Sequence, residues 1–347
     1  MIVDLRSDTV TKPSSAMRQA ICEAEVDDDV IGIDPTVAKL QEETARLLGK
    51  EAAIFVPSGS MSNQIALRLH CRPGEEFLCE AGCHVYNYEQ AAFAQLSGLV
   101  AKTIHGADHL LSLEQLEDQI RPENEHLVRT RLVCLENTHN RGAGRVHPYE
   151  QVVSICKWAH ENGLKTHLDG ARLFNAAVAS GVSLSAWSEH FDSVSVCFSK
   201  GLGAPVGSAL AGTAEFIYEA RRARKLFGGG MRQAGILAAG ALYALEHNYD
   251  RLAEDHVHAQ LLADAIRSAE GLRLTPDQID TNIVIFDVCK ELTTAAEFVE
   301  RLEQQGVRSY AFGAQQVRLV THLDVDREQA EYAAKTLVAV AEQAVCK

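Results

Sequence analysis

Apolar and polar positions alternate between two periodicities along this chain. Val37, Leu40, Leu47 and Leu48 recur at helical spacing. Asp34-Pro35 ahead of them reads as an N-cap with proline at the first helical position, and Gly49 reads as the stop. The short apolar run Ala52 to Val56 follows, read as a buried strand, and Pro57-Ser58-Gly59-Ser60 breaks it before a helical stretch through His70. Further buried-strand patterns are Leu132 to Leu135, Leu164 to Leu168, Ser193 to Phe198 and Ser208 to Ala211. Between the first two of these the spacing predicts a helix with Val152, Val153, Cys156 and Ala159 inward and Gly163 at its end. Continuous apolar runs separated by helices suit a mostly parallel sheet covered on both faces, hence an α/β fold.

The pattern changes near Asn248. A long charged helix over Asp250 to Ala269 precedes a strand at Ile283 to Asp287, a helix ending at Gln305, a strand at Val317 to Thr321 and a final helix. This predicts a large domain over 1–248 and a smaller C-terminal α+β domain over 249–347.

Composition narrows the function classes. The 347 residues carry a formal net charge of -14, so nucleic acid is an unfavourable partner for the surface as a whole. Nine cysteines without framework spacing point to a reducing, cytoplasmic setting rather than to disulfides. Met1 to Lys12 has no apolar core of a signal peptide, and no apolar run reaches about 18 residues, so no membrane partner is expected.

Chemistry-bearing residues fall where strands end. Pro57 to Ser60 joins a strand to a helix, where unpaired N–H groups and partial positive charge favour a phosphate; a plain serine-capped turn is the other reading. Asp169 closes an apolar run, at the strand edge where α/β sheets bind ligands, and suits a cationic ring nitrogen or a helix cap. His167, two residues earlier, reads as a satisfied histidine in preference to a metal ligand. Lys200 follows the run Ser193 to Phe198. An amine desolvated there would serve as a Schiff-base nucleophile; an exposed loop lysine is the alternative. Arg221, Arg222, Arg224, Lys225 and Arg232 surround Gly228-Gly229-Gly230, and this basic cluster calls for an anionic ligand or a solvated helix face. Arg318, inside Val317 to Val320, points outward on an edge or toward a carboxylate. The order of phosphate turn, strand-end Asp and strand-end Lys carries more information than any one of them.

Seven stretches, in this order over nearly the whole chain, resemble the low-specificity L-threonine aldolases. They are DLRSDTVT (Asp4 to Thr11), FVPSGSMSNQ (Phe55 to Gln64), LENTHN (Leu135 to Asn140), DGARLFNA (Asp169 to Ala176), SKGLGAPVGS (Ser199 to Ser208), GGGMRQAG (Gly228 to Gly235) and VRLVTHLDV (Val317 to Val325). The resemblance implies the type I fold of pyridoxal-phosphate (PLP) enzymes, similar to aspartate aminotransferase. It also implies cleavage of β-hydroxy-α-amino acids such as threonine and allo-threonine to glycine and an aldehyde. On that reading Lys200 carries PLP as a Schiff base, Asp169 pairs with the ring nitrogen, and His84 stacks on the ring. Ser58, Gly59 and Ser60 hold the phosphate, with Lys225 and Arg232 adding positive charge, in part across a subunit interface. Ser7, Arg172 and Arg318 bind the substrate, and Arg172 borders the cofactor too. His84, His126 or a water they hold acts as base. A homotetramer built as a dimer of dimers is implied, with no metal in the catalytic set.

The chain departs from the family at four places: Ile31 where a tyrosine is usual, Ile33 where an acidic residue is common, Ser60 in place of threonine, and Met61 beside it. Rival readings are a β-eliminating lyase or aminotransferase of the same fold, which share the Lys–Asp pair, and a non-catalytic PLP-binding oligomer. A metal hydrolase using Cys79, Cys83, His84 and His139 would need the two cysteines on one helical face.

Overall fold

The computed structural model describes residues 1–345. Its centre is a seven-stranded sheet built from β1 (Ala52–Val56), β2 (Glu76–Glu80), β3 (Val100–Ile104), β4 (Thr130–Glu136), β5 (Lys165–Gly170), β6 (Ser193–Cys197) and β7 (Ser208–Gly212). The spatial order is β1-β7-β6-β5-β4-β2-β3, and only β7 runs antiparallel to its neighbours. Strands β6 and β7 are buried at every position, as a sheet covered on both faces requires. One face packs Phe55, Leu78, Val133, Leu168 and Val194 against flanking helices. Ile54, Val56 and Leu210 face the other way, onto Ile65, Ala66 and Ala220.

Local chemistry sets the element ends. Asp34 Oδ1 accepts from the N–H groups of Thr36 and Val37 at 3.0 Å each, starting the helix Pro35–Leu48, and Gly49 ends it in the left-handed conformation. Asp34 also accepts the Gly235 N–H at 2.9 Å. A Cβ at Gly235 would lie 2.4 Å from Asp34 Oδ1, which accounts for the glycine at the close of GGGMRQAG.

A second core begins with the helix Leu252–Ser268. It joins Leu262, Ile266, Val284, Phe286, Phe298, Leu319 and Leu337. Its sheet is antiparallel: Ile283–Val288 lies between Leu272–Leu274 and Gln316–Val320, and Tyr310–Ala311 lies on the outer side of Gln316–Val320. The N-terminal arm belongs to this second core, although the sequence grouped it with residues 1–248. Val3 and Leu5 are fully buried there, and Val3–Asp4 pairs in parallel with Val307–Arg308.

Two sequence expectations need correction, and the metal-hydrolase rival loses its helical face. In the helix Tyr149–Glu161, Ile155 is in the core and Val153 is half-buried, because the inward stripe is 152, 155, 156 and 159. Strands β2 and β3 were not foreseen. In β2 the apolar run is only three residues long, and its end residue Glu76 is fully buried, its Oε2 accepting from Arg121 Nε and Nη2 at 2.9 and 2.8 Å. Cys79 lies on β2 and Cys83 caps a short helix, so they do not share a helical face. Among the described residues, no helix is long and apolar enough to cross a membrane.

Candidate active site

The C-terminal ends of the parallel strands converge on one cavity of about 350 Å³. β2 leads to His84 and Tyr88, β4 to Glu136, Thr138 and Asn140, β5 to Asp169, Ala171 and Arg172, and β6 to Lys200. The N-terminal arm adds Ser7 and Thr9, and the small sheet adds Tyr310, Ala311, Phe312 and Arg318. The cavity therefore draws on both cores.

Asp169 is buried and tightly held. Its Oδ2 accepts from Asn63 Nδ2 at 2.8 Å and its Oδ1 from the Ala171 N–H at 3.1 Å. Asn63 Nδ2 also donates to Glu89 at 2.9 Å, and Gln64 donates to the other Glu89 oxygen at 2.6 Å. His84 Nδ1 lies 2.9 Å from Glu89. Burial disfavours the His84 cation, but the Glu89 hydrogen bond and the Asp169 charge prevail and raise its pKa above the ordinary histidine value.

The three groups expected to bind substrate all line this cavity, with different freedom. Arg172 sends Nε and Nη2 to the two Asp8 oxygens at 2.7 Å each. Burial would raise the Asp8 carboxyl, but Arg172 holds it well below the carboxylate range. Most of the Arg172 charge is thus met from within the protein. Arg318 is different: Nη1 donates to Asn140 Oδ1 at 3.1 Å, Nη2 to the Arg6 carbonyl at 3.3 Å, and Nε is buried with no partner. Burial, with Arg172 nearby, pulls the Arg318 pKa down. An incoming carboxylate would satisfy its open donor. Ser7 Oγ accepts from Thr9 N and Oγ1 at 3.2 and 2.9 Å, leaving its own hydroxyl proton to donate.

The residues fit PLP. A strand-end lysine and a fixed buried carboxylate share the cavity. Ser58 caps the helix Gly59–His70, with Gly59 and Ser60 at its N-terminus. The buried Ser208 hydroxyl has no protein partner and lies 3.6 Å from where a Gly59 Cβ would stand. An unpaired hydroxyl beside unpaired N–H groups is a receptor for phosphate oxygens.

Six predicted residues are not in the cavity lining: Ser58, Gly59 and Ser60, which stand at the helix start just described, and Lys225, Arg232 and His126. Lys225 borders a separate depression with Asp29, Val30, Arg221, Arg222, Arg224 and Gly230. Arg232 pairs with Asp28 at 3.1 Å beside it, and Arg224 is buried against Asp29 at 2.8 Å. His126 is exposed on another surface, near Arg72 and Arg129. Conversely, sequence reasoning missed Glu89, Asn63, Tyr88 and Phe312. Asn63 carried a signal, since it lies in FVPSGSMSNQ; the others lie in stretches without a motif.

Comparison with known proteins agrees with this geometry. The family model described as beta-eliminating lyase matches residues 4–289. Low-specificity L-threonine aldolase from Escherichia coli K12 is 46% identical over 335 residues, covering 96% of this chain and 98% of that protein. Low-specificity L-threonine aldolase 1 of Arabidopsis thaliana is 43% identical over 335 residues, covering 95% and 94%. The solved threonine aldolase of Leishmania major superposes with a TM-score of 0.84 at 20% identity, covering 97% of this chain and 99% of that one, which supports the fold.

Proposed function

Because the chain belongs to the low-specificity L-threonine aldolases within the beta-eliminating lyase family, we propose that its cavity carries out their chemistry with the residue roles below. The enzyme is a PLP-dependent carbon–carbon lyase of the type I fold. It cleaves β-hydroxy-α-amino acids, threonine and allo-threonine among them, to glycine and an aldehyde. The observation that carries the assignment is the meeting of Lys200, Asp169 and Arg318 in one cavity at the sheet's C-terminal edge.

Bound PLP supplies an electron sink for the pair released from the Cα–Cβ bond. Lys200 would hold the cofactor covalently, and Asp169, fixed by Asn63, would keep its ring nitrogen protonated. His84 covers the ring and, neutral, accepts the β-hydroxyl proton. Arg318 and Ser7 would hold the α-carboxylate and so orient the Cα–Cβ bond for cleavage. Ser58, Gly59, Ser60 and Ser208 receive the phosphate.

Lys225, Arg232 and His126 are read as contributions to a neighbouring subunit's site in a tetramer of paired dimers. Ile31 is 86% exposed in the loop that holds Asp28 and Asp29, and Ile33 is exposed beside it, which suits a covered surface there. The chain is read as two domains, 1–248 and 249–347, with the N-terminal arm crossing to pack in the second. A cytoplasmic location is read from the eight cysteines that stand free among the described residues.

Incubation of the PLP-loaded protein with L-threonine, L-allo-threonine and phenylserine tests the reaction. Aldehyde and glycine in equal amounts support it. Ammonia and a keto acid would overturn it.

A further inference from the structure

Two guanidinium groups, Arg318 in the cavity lining and Arg141 packed on the lining residues Tyr88 and Phe312, have no carboxylate partner among the described residues, although other arginines nearby do. Arg6 pairs with Asp4, Arg145 with Asp108 and Asp280, and Arg172 with Asp8. Arg318 and Arg141 instead share one aromatic ring. Arg318 Cζ lies 4.9 Å from the centre of Phe312 and Arg141 Cζ 4.2 Å from it. Two cations on one ring repel each other, and ring contacts offset only part of that. In a chain of net charge -14, leaving both unneutralised makes this corner a receptor for anions.

One α-carboxylate accounts for Arg318 alone. Arg141 is placed to serve a second anion through Tyr88. Its Nε donates to the Tyr88 hydroxyl, and its Cζ lies 5.5 Å from the Tyr88 ring. Since that oxygen accepts from Arg141, the Tyr88 O–H proton is available to donate into the cavity that Tyr88 lines. Tyr88 also stands beside His84, the ring centres 5.5 Å apart, on the side where the substrate's β-carbon must lie if His84 takes its hydroxyl proton.

We infer that the cavity recognises β-hydroxy-α-amino acids whose β-substituent carries a carboxylate, with Tyr88 and Arg141 receiving that group. This rests on the aldolase reading above and specifies its substrate class. The reaction is unchanged and balanced. The Cα–Cβ bond breaks with its electron pair left on Cα, the β-hydroxyl loses its proton as the carbonyl forms, and Cα gains a proton. 3-Hydroxyaspartate gives glycine and glyoxylate.

The test uses the PLP-loaded enzyme and compares kcat/KM for 3-hydroxyaspartate, 3-hydroxyglutamate and L-threonine. At least one acidic substrate should exceed threonine by about tenfold. Arg141→Met should lower the ratio of acid to threonine by about tenfold, and Arg141→Lys should restore part of it. As a readout apart from turnover, binding of L-aspartate and L-alanine is followed in the cofactor spectrum. Arg141→Met should weaken aspartate selectively. Threonine cleaved without any preference for an acid, or equal losses for both substrate types in Arg141→Met, would overturn the inference and leave Arg141 as a packing residue. Loss of cleavage of every substrate by the unaltered enzyme would sink the aldolase reading instead, and the aspartate arm would still decide this one.

Discussion

Asn63 reaches Asp169 across 106 residues of sequence with a 2.8 Å hydrogen bond, and the direction of that bond is fixed from behind. The Asn63 amide nitrogen faces two carboxylates, so its oxygen faces His167 Nε2 at 3.2 Å, which must donate. His167 is buried, its pKa pushed down to about 4, so it is neutral and its Nδ1 accepts from Ser193 at 2.8 Å. Ser193 in turn accepts from His70 at 2.7 Å. Every proton in this line has one place to go. His167 is thus the satisfied core histidine of the sequence reading, and it orients the amide that orients Asp169.

Asn63→Ala interrupts this line and leaves Asp169, Glu89 and His167 each short of a partner. Stability should fall by roughly 1–3 kcal/mol. PLP should also bind more weakly, because the carboxylate is no longer aimed. Thermal melting with and without cofactor, and equilibrium dialysis of PLP, check the two effects separately.

Lys200→Ala should abolish the absorbance band of covalently held PLP and reduce kcat/KM by about 10³-fold or more, equivalent to about 4 kcal/mol of transition-state stabilisation. Arg318→Gln should act differently, raising KM for amino acids by roughly tenfold or more while the band persists. An Arg318 variant with unaltered KM would remove it from carboxylate binding.

Glu89→Gln bears on the base. His84 must be neutral to accept a proton, so kcat/KM should climb as pH rises through its pKa, which lies above 6.5. Without the Glu89 charge the cation is less favoured, and the acid limb should move to lower pH. A pH–rate profile that does not move would show that the limiting base is another group. The same linkage has a stability side. The His84–Glu89 pair stabilises the fold fully below 6.5 and loses that contribution as pH rises through the folded value.

Asp8→Asn strips the buried Arg172 of its counter-charge, 5% and 0% exposed as the two side chains are. Unfolding free energy should drop by about 3–5 kcal/mol at neutral pH. The Asp8 pKa is depressed in the fold, so the native pair contributes fully above the ordinary value of 3.8 and loses its contribution as pH falls toward the depressed one. Melting curves of the two proteins should therefore draw together below 3.8 and stay apart above it.

The sequence was most readable where function and backbone share a motif. Strand-end Asp169 and Lys200 could be placed because buried strands announce themselves as apolar runs, and the chemistry begins where the run stops. Glu89 and Tyr88 could not, because they stand in a short helical turn and its exit, with no periodicity to set their direction. Arg318 is set in the cavity wall by antiparallel pairing of Gln316–Val320 with the distant Ile283–Val288, and Phe312 by the hairpin to Tyr310–Ala311, registers that spacing does not encode. Arg172 was readable as a cavity residue, but its engagement by Asp8 depends on the arm folding back across 164 positions.

That arm has a mechanical consequence. Leu5 accepts the Val320 N–H at 2.8 Å, and the Arg6 carbonyl accepts from Arg318, so the arm that carries Ser7 is tied to the strand that carries Arg318. The same arm returns through Asp8 to Arg172 and through Arg318 to Asn140, so it straps the small sheet to the strand ends that carry Asp169 and Lys200.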